Sequence, residues 1–330
     1  MTRTKKLPVP AWIVGHSSAV GPMEGQGPMG KWFDTILNDD TVGETTYEKA
    51  ELMLFSMTAD QALASAHLKP EELDLMCAGD LLDQIISSSF SARSMAVPFL
   101  GLYGACSTMV ESLIVGSLAI AAQCAEKVLC LSGSHFSTAE RQYRYPLELG
   151  SQRPPTAQRT VTAAGATVLA SQGQGIAVRG LTVGKVIDYG ITDANNMGAA
   201  MAPAAADTIA THLDEYGVAP DYYDYVVTGD LGKLGKELTE EFLQQRGYVL
   251  GSRYRDCGCE MFDESQDAHC GASGCGCAAS FLNGYYLKRM EYGEIKRILL
   301  VATGALLSPT SAQQGESIPG VAHAVSIEVE

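Results

Sequence analysis

Short apolar runs closed by glycine punctuate this chain, and longer apolar stretches lie between them. The segment 68–82, LKPEELDLMCAGDLL, reads as a helix end, a proline turn and a short buried strand closing on Gly-Asp. The segment 218–232, VAPDYYDYVVTGDLG, repeats it, pairing Pro70 with Pro220, Asp74 with Asp224, Gly79 with Gly229 and Asp80 with Asp230. Three further pairs keep the same order. EKVLCLSG at 126–133 matches IKRILLVATG at 295–304, and ATVLA at 166–170 matches AVSIE at 324–328, all as buried strands. Between them YGACS at 103–107 lies opposite CGASG at 270–274, each opening an apolar helix.

These pairs predict an α/β protein of two similar β-α-β halves, residues 1–174 and 175–330, with SQGQG at 171–175 as the turn between them. The helices starting at Ala105 and Ala272 are expected in the middle, between the sheets. Their small residues, Gly116, Ser117 and Ala119 in one and Gly274, Gly276, Ala278 and Ala279 in the other, suit close packing. The start, MTRTKKLPVPAWIVG, reads as a loose arm entering a first strand rather than as a signal peptide. No apolar stretch reaches the roughly 20 residues that a bilayer span needs.

Composition narrows the partners. The 330 residues are 46% hydrophobic, enough for a large core, and carry a formal net charge of −15. That balance argues against nucleic acid and against an anionic lipid surface as primary partner. An anionic ligand needs a local basic pocket, and the chain offers one candidate: Arg141, Arg144, Arg153 and Arg159 fall in one stretch, with Tyr143 and Tyr145 interleaved.

Cys106 stands at the mouth of a predicted helix, where free N–H groups and the helix dipole favour a thiolate or a bound anion. A buried small hydrophobe is the other reading. Acyl transfer through Cys106 would need a base. Of the six histidines, His135 at a strand end and His269 before the second helix turn are the two expected to reach it, while His67 and His212 fall on predicted surface helices. Cys257, Cys259, Cys270, Cys275 and Cys277 beside His269 have C-x-C spacing rather than the C-x₂-C of zinc knuckles, and no metal site is expected.

The assembled segments resemble the thiolase and β-ketoacyl synthase superfamily. The Cys106 turn resembles its nucleophile elbow, and DAHCGASGCGCAAS at 267–280 its second catalytic loop. The resemblance implies a five-layer αβαβα fold. Asp230 occupies the place where the type III synthases carry a histidine, and a carboxylate there opposes ionisation of the thiol. TGDLG at 228–232, HCGASGCGC at 269–277 and GACSTM at 104–109 together resemble the stage V sporulation protein AD family of spore-forming Firmicutes.

That resemblance implies a non-enzymatic protein that binds dipicolinic acid (pyridine-2,6-dicarboxylate) or its calcium chelate and uses no cofactor. It implies uptake of that acid into the developing spore with membrane transport proteins of the same operon, at the inner forespore membrane, as a homodimer. The expected ligand-binding residues are Cys106, His135, Asp230, His269, Gly104, Ser273, Arg141 and Arg144. The alternative is a β-ketoacyl synthase III-like acyltransferase using Cys106 and His269.

Overall fold

The computed structural model describes residues 2–144, 147–150 and 152–330. Tyr145, grouped above with the arginine stretch, lies outside the described residues. The strands are β1 (Thr4–Val20), β2 (Thr35–Ile36), β3 (Leu75–Gly79), β4 (Phe99–Gly101), β5 (Lys127–Ser134), β6 (Arg159–Thr160) and β7 (Ala163–Ala170). Then come β8 (Ile176–Thr182), β9 (Tyr225–Thr228), β10 (Tyr254–Asp256), β11 (Ala272–Ser273), β12 (Arg297–Ala305) and β13 (Gly320–Val329).

Ten of them pair in the order β10-β9-β12-β13-β8-β1-β7-β5-β3-β4. Read outward from β1 and β8, each side has the same plan: two antiparallel pairings, then two parallel ones. The repeated sequence pairs fall on matching strands: β3 with β9, β5 with β12, β7 with β13. Long β1 joins the two sides, pairing β8 through Thr4–Trp12 and β7 through Trp12–Val20. The expected loose arm is therefore strand from Thr4 onward, because β8 offers its free edge, with Thr4 opposite Thr182.

The helix Thr108–Ala121 and the helix Cys275–Phe281 pack against strands from within, and helices Tyr47–Ser65 and Met197–Tyr216 cover the outside. Close approach at the centre depends on glycine. A Cβ on Gly165 of β7 would stand 2.2 Å from the Ala279 carbonyl oxygen, and one on Gly276 would stand 2.2 Å from that of Ala163. The two inner helices start three residues later than the sequence predicts. Ala105 (φ 50) and Gly274 (φ 104) are in the left-handed region, so the helical run cannot begin before they are passed. His212, expected on a surface helix, is buried between Thr182 and Tyr223, since Met197–Tyr216 is apolar on most of its circumference.

Candidate functional site

Cys106 is placed by a tight turn. The Gly104 carbonyl accepts hydrogen bonds from the Ser107 N–H (3.0 Å) and hydroxyl (2.7 Å), and the Thr108 hydroxyl donates to the Ala105 carbonyl (2.7 Å). Strand β12 presses on this turn at Gly304, where an added Cβ would stand 2.2 Å from the Gly104 oxygen. The thiol therefore projects from an immobile support at the meeting of both halves.

The second wall is the 270–274 loop. Ala272 and Ser273 pair in parallel with Arg159 and Thr160, so β6 and β11 bind the end of the arginine stretch to the loop. Gln158 adds a tie that no sequence pattern announced. Its side-chain amide donates to the carbonyls of Asp230 and Ala272, both at 2.7 Å.

Asp230 lies at the end of β9, fully buried. It accepts from the Thr303 hydroxyl (2.8 Å), the Gly274 N–H (3.0 Å) and the Ser273 hydroxyl (3.3 Å), and it faces the Cys106 thiol. Burial pushes its carboxyl up to about 7, against the pull of the thiol and the other donors. The thiol responds in kind. Burial pushes Cys106 well above its usual range, the Asp230 carboxylate and Cys275 push the same way, and only the Gly274 amide opposes them. The helix-mouth position is thus overridden, and the thiol stays protonated at neutral pH. Asp80, the repeat partner of Asp230, turns to local work, accepting from the Leu82 and Ser88 N–H groups and the Ser88 hydroxyl.

A cavity of about 40 Å³ opens onto Cys106. At roughly 10–15 Å³ per water that is room for about three. Leu81, Ala139, Met197, Ala305 and Leu307 make it mostly apolar, Thr160 and Ser273 add hydroxyls, and Tyr103 and Tyr143 stand at its side. The Tyr143 hydroxyl donates to the Leu81 carbonyl and lies 2.8 Å from that of Tyr103, so the tyrosine pair forms a braced wall. Arg144 is the charged residue of the lining. It caps the helix Phe136–Tyr143, is 8% exposed and pairs with Glu140.

The structure brings Cys106, Asp230, Ser273 and Arg144 to one place, with Gly104 in the turn behind. It does not bring the other expected residues to the cavity wall. His135 is committed elsewhere: its Nε2 contacts the Asp40 carbonyl at 2.7 Å and its Nδ1 accepts from the Ser137 N–H, capping the helix Phe136–Tyr143. His269 is 26% exposed, with φ 50, and lines a separate acidic hollow with Asp263, Glu264 and Asp267. Arg141 pairs with Glu48 at the surface. The tyrosine wall was half visible in the interleaving of Tyr143 with arginines; Tyr103 had only its place in YGACS as a signal.

The thiol's state makes a testable difference between two cysteines. Cys124 is exposed and Cys106 buried. With iodoacetamide at pH 7.5, peptide mass spectrometry should find Cys106 alkylated at least about 100-fold more slowly than Cys124, because the thiolate is the attacking species. Equal rates would contradict the protonated thiol.

Comparison with known proteins now decides the family. The profile of the family described as stage V sporulation protein AD (SpoVAD) matches residues 1–328. The chain belongs to the stage V sporulation protein AD family. It is 41% identical over 319 residues to stage V sporulation protein AD of Bacillus subtilis (strain 168), covering 97% of this chain and 94% of that protein. Among solved structures, this chain's fold is shared with 3-oxoacyl-[acyl-carrier-protein] synthase III from Aquifex aeolicus VF5, at 14% identity and TM-score 0.60, over 96% of this chain and 99% of that one. It is shared equally with human mitochondrial 3-ketoacyl-CoA thiolase, in a structure with CoA, at 15% identity and TM-score 0.60, over 98% and 99%. The chain is thus a sporulation-family protein on a thiolase-like fold. Among the described residues, no helix is long and apolar enough to cross a membrane.

Proposed function

We propose that this protein binds dipicolinic acid, free or as its calcium chelate, at the Cys106 cavity, which widens on binding toward the adjoining hollow of about 190 Å³ that shares Arg144, and takes part in its uptake into the developing spore without catalysing a reaction. The observation that carries this reading is the pairing of a buried, protonated thiol with a carboxyl at Asp230, where covalent chemistry would need a base. With its thiol held well above the usual range, Cys106 lines the cavity as a neutral group, and Asp230 stands behind it, outside the lining. Arg144 supplies a guanidinium fork for a carboxylate, and Tyr143, Met197 and Leu307 supply flat apolar walls for an aromatic ring. In this reading a homodimer sits peripherally at the inner forespore membrane and presents the acid to membrane transport proteins of the same operon.

Equilibrium dialysis of the purified protein against dipicolinate tests it. Saturable binding is expected, weakened at least about 10-fold by Arg144→Ala through loss of a charge-assisted contact. No binding by the wild type overturns the proposal. The second reading, acyl transfer through Cys106, draws on the elbow-like turn itself. Intact-protein mass spectrometry after incubation with acetyl-coenzyme A separates the two: an acetyl adduct on Cys106 supports the enzyme, and an unmodified chain supports the binding protein.

A further inference from the structure

Beside the Cys106 cavity lies a larger hollow, about 190 Å³ against about 40 Å³. The two are neighbours along the same segments. Arg144 lines both, Gln158 lines the hollow and Thr160 the cavity, and Asn195 lines the hollow and Met197 the cavity. We propose that this hollow is a capture site for the carboxylate ligand, with Arg153 as its recognition residue and Arg144 as the group shared with the inner cavity.

Charge is the first argument. Arg144 and Arg153 both pair with one carboxylate, Glu140, the Arg153 contact being 2.9 Å. Glu140 is the acid among the described lining residues, so two guanidinium charges face one carboxylate charge. That surplus cation sits on a chain of net charge −15, whose overall charge repels an approaching dianion. The hollow of His269 is the contrast: it carries Asp263, Glu264 and Asp267 against Lys233 and suits no anion.

A buried group without a partner is the second argument. Gln158 is 2% exposed, and its amide nitrogen is spent on the Asp230 and Ala272 carbonyls, which fixes the orientation of the side chain. Its Oε1 then has no hydrogen-bond partner. An acceptor left open beside a cationic hollow suits a water that hydrates a bound carboxylate. Phe136 completes the site as a flat support under Arg153 and Arg159, whose guanidinium carbons lie 5.2 and 3.7 Å from the ring centre.

Capture and holding are kinetically distinct. A rim charge acts on association, whereas the inner contacts set dissociation. The inference rests on dipicolinate being the ligand, and the test separates the two ideas. Protein is immobilised for surface plasmon resonance and dipicolinate is flowed over wild type, Arg153→Gln, Arg153→Lys and Glu140→Gln. Arg153→Gln should lower the association rate about 10-fold and change dissociation less than about 2-fold. Arg153→Lys should recover most of the rate, and Glu140→Gln, which removes the competing carboxylate, should raise it. Should Arg153→Gln lose its fold by circular dichroism, salt titration of the wild type decides. An association rate that falls with salt at constant dissociation supports capture, and a salt-independent one overturns it. Wild-type binding with an unchanged association rate in a folded Arg153→Gln overturns the capture site alone. No wild-type binding overturns the ligand itself.

Discussion

Asp230→Asn should flatten the pH dependence of this protein's thermal stability. In the wild type the folded state keeps the Asp230 proton up to about pH 7, whereas an unfolded aspartate releases it near 3.8. The folded chain therefore holds more protons than the unfolded one between those values, and stability falls as pH rises from about 4 to 7. Above 7 the loss is complete and constant. Three pH units correspond to on the order of 4 kcal/mol, or roughly 6 °C in Tm for a chain of this size. Asparagine carries no such proton. The Tm of Asp230→Asn relative to wild type should therefore climb by roughly that amount between pH 4 and pH 8 in paired scanning calorimetry runs. The comparison cancels the other buried acids, such as Glu24, which burial also pushes up to about 7. A difference that stays constant with pH would show that Asp230 is ionised throughout. Ligand affinity should follow the same group: a dianion beside Asp230 binds better when that carboxyl is protonated, so affinity should weaken as pH rises through about 7 in wild type and hold steady in the asparagine variant.

A large structural loss is expected at Gly165. An alanine there would drive its Cβ to 2.2 Å from the Ala279 oxygen and 2.4 Å from its carbonyl carbon. Both obstacles are backbone, so no rotamer change relieves them, and strand β7 and the inner helix Cys275–Phe281 would have to separate. Overpacking a core costs 1–3 kcal/mol when side chains can yield; about 3 kcal/mol or more is expected here. The Cys106 wall would move as well, since that helix follows directly from Ser273 and Gly274. Gly116→Ala on the other inner helix gives the contrast. Its Cβ would meet Cys130, Val128 and Leu169 side-chain atoms at 3.0–3.2 Å, which can shift, and alanine adds about 1 kcal/mol of helix propensity. Urea denaturation should show Gly165→Ala strongly destabilised or insoluble and Gly116→Ala near wild type. A wild-type midpoint for Gly165→Ala would mean that the two layers are less closely packed than described.

The fold was legible because its two halves repeat local physics. Proline turn, buried strand and Gly-Asp recur in β3 and β9, and each strand's place in its sheet follows from that order. The helix starts were misplaced by three residues because left-handed Ala105 looks like an ordinary helix former in sequence. Cys106, Asp230 and Ser273 were identifiable together since each stands at a strand end or helix mouth, where this architecture converges. His135 was not, because its engagement with the Asp40 carbonyl is a contact between distant segments that no periodicity encodes. The same holds for Gln158, whose two carbonyl partners come from separate loops. Among the arginines, spacing could not separate Arg144, turned inward as a helix cap, from Arg141, turned outward to Glu48.

A crystal structure of the protein soaked with dipicolinate at pH 6 tests the central claim most directly. The account predicts the pyridine ring in the Cys106 cavity against Tyr143, one carboxylate within hydrogen-bond distance of the Arg144 guanidinium, and no covalent bond to the Cys106 sulfur. A ligand seated away from Arg144, or joined to Cys106, would contradict it.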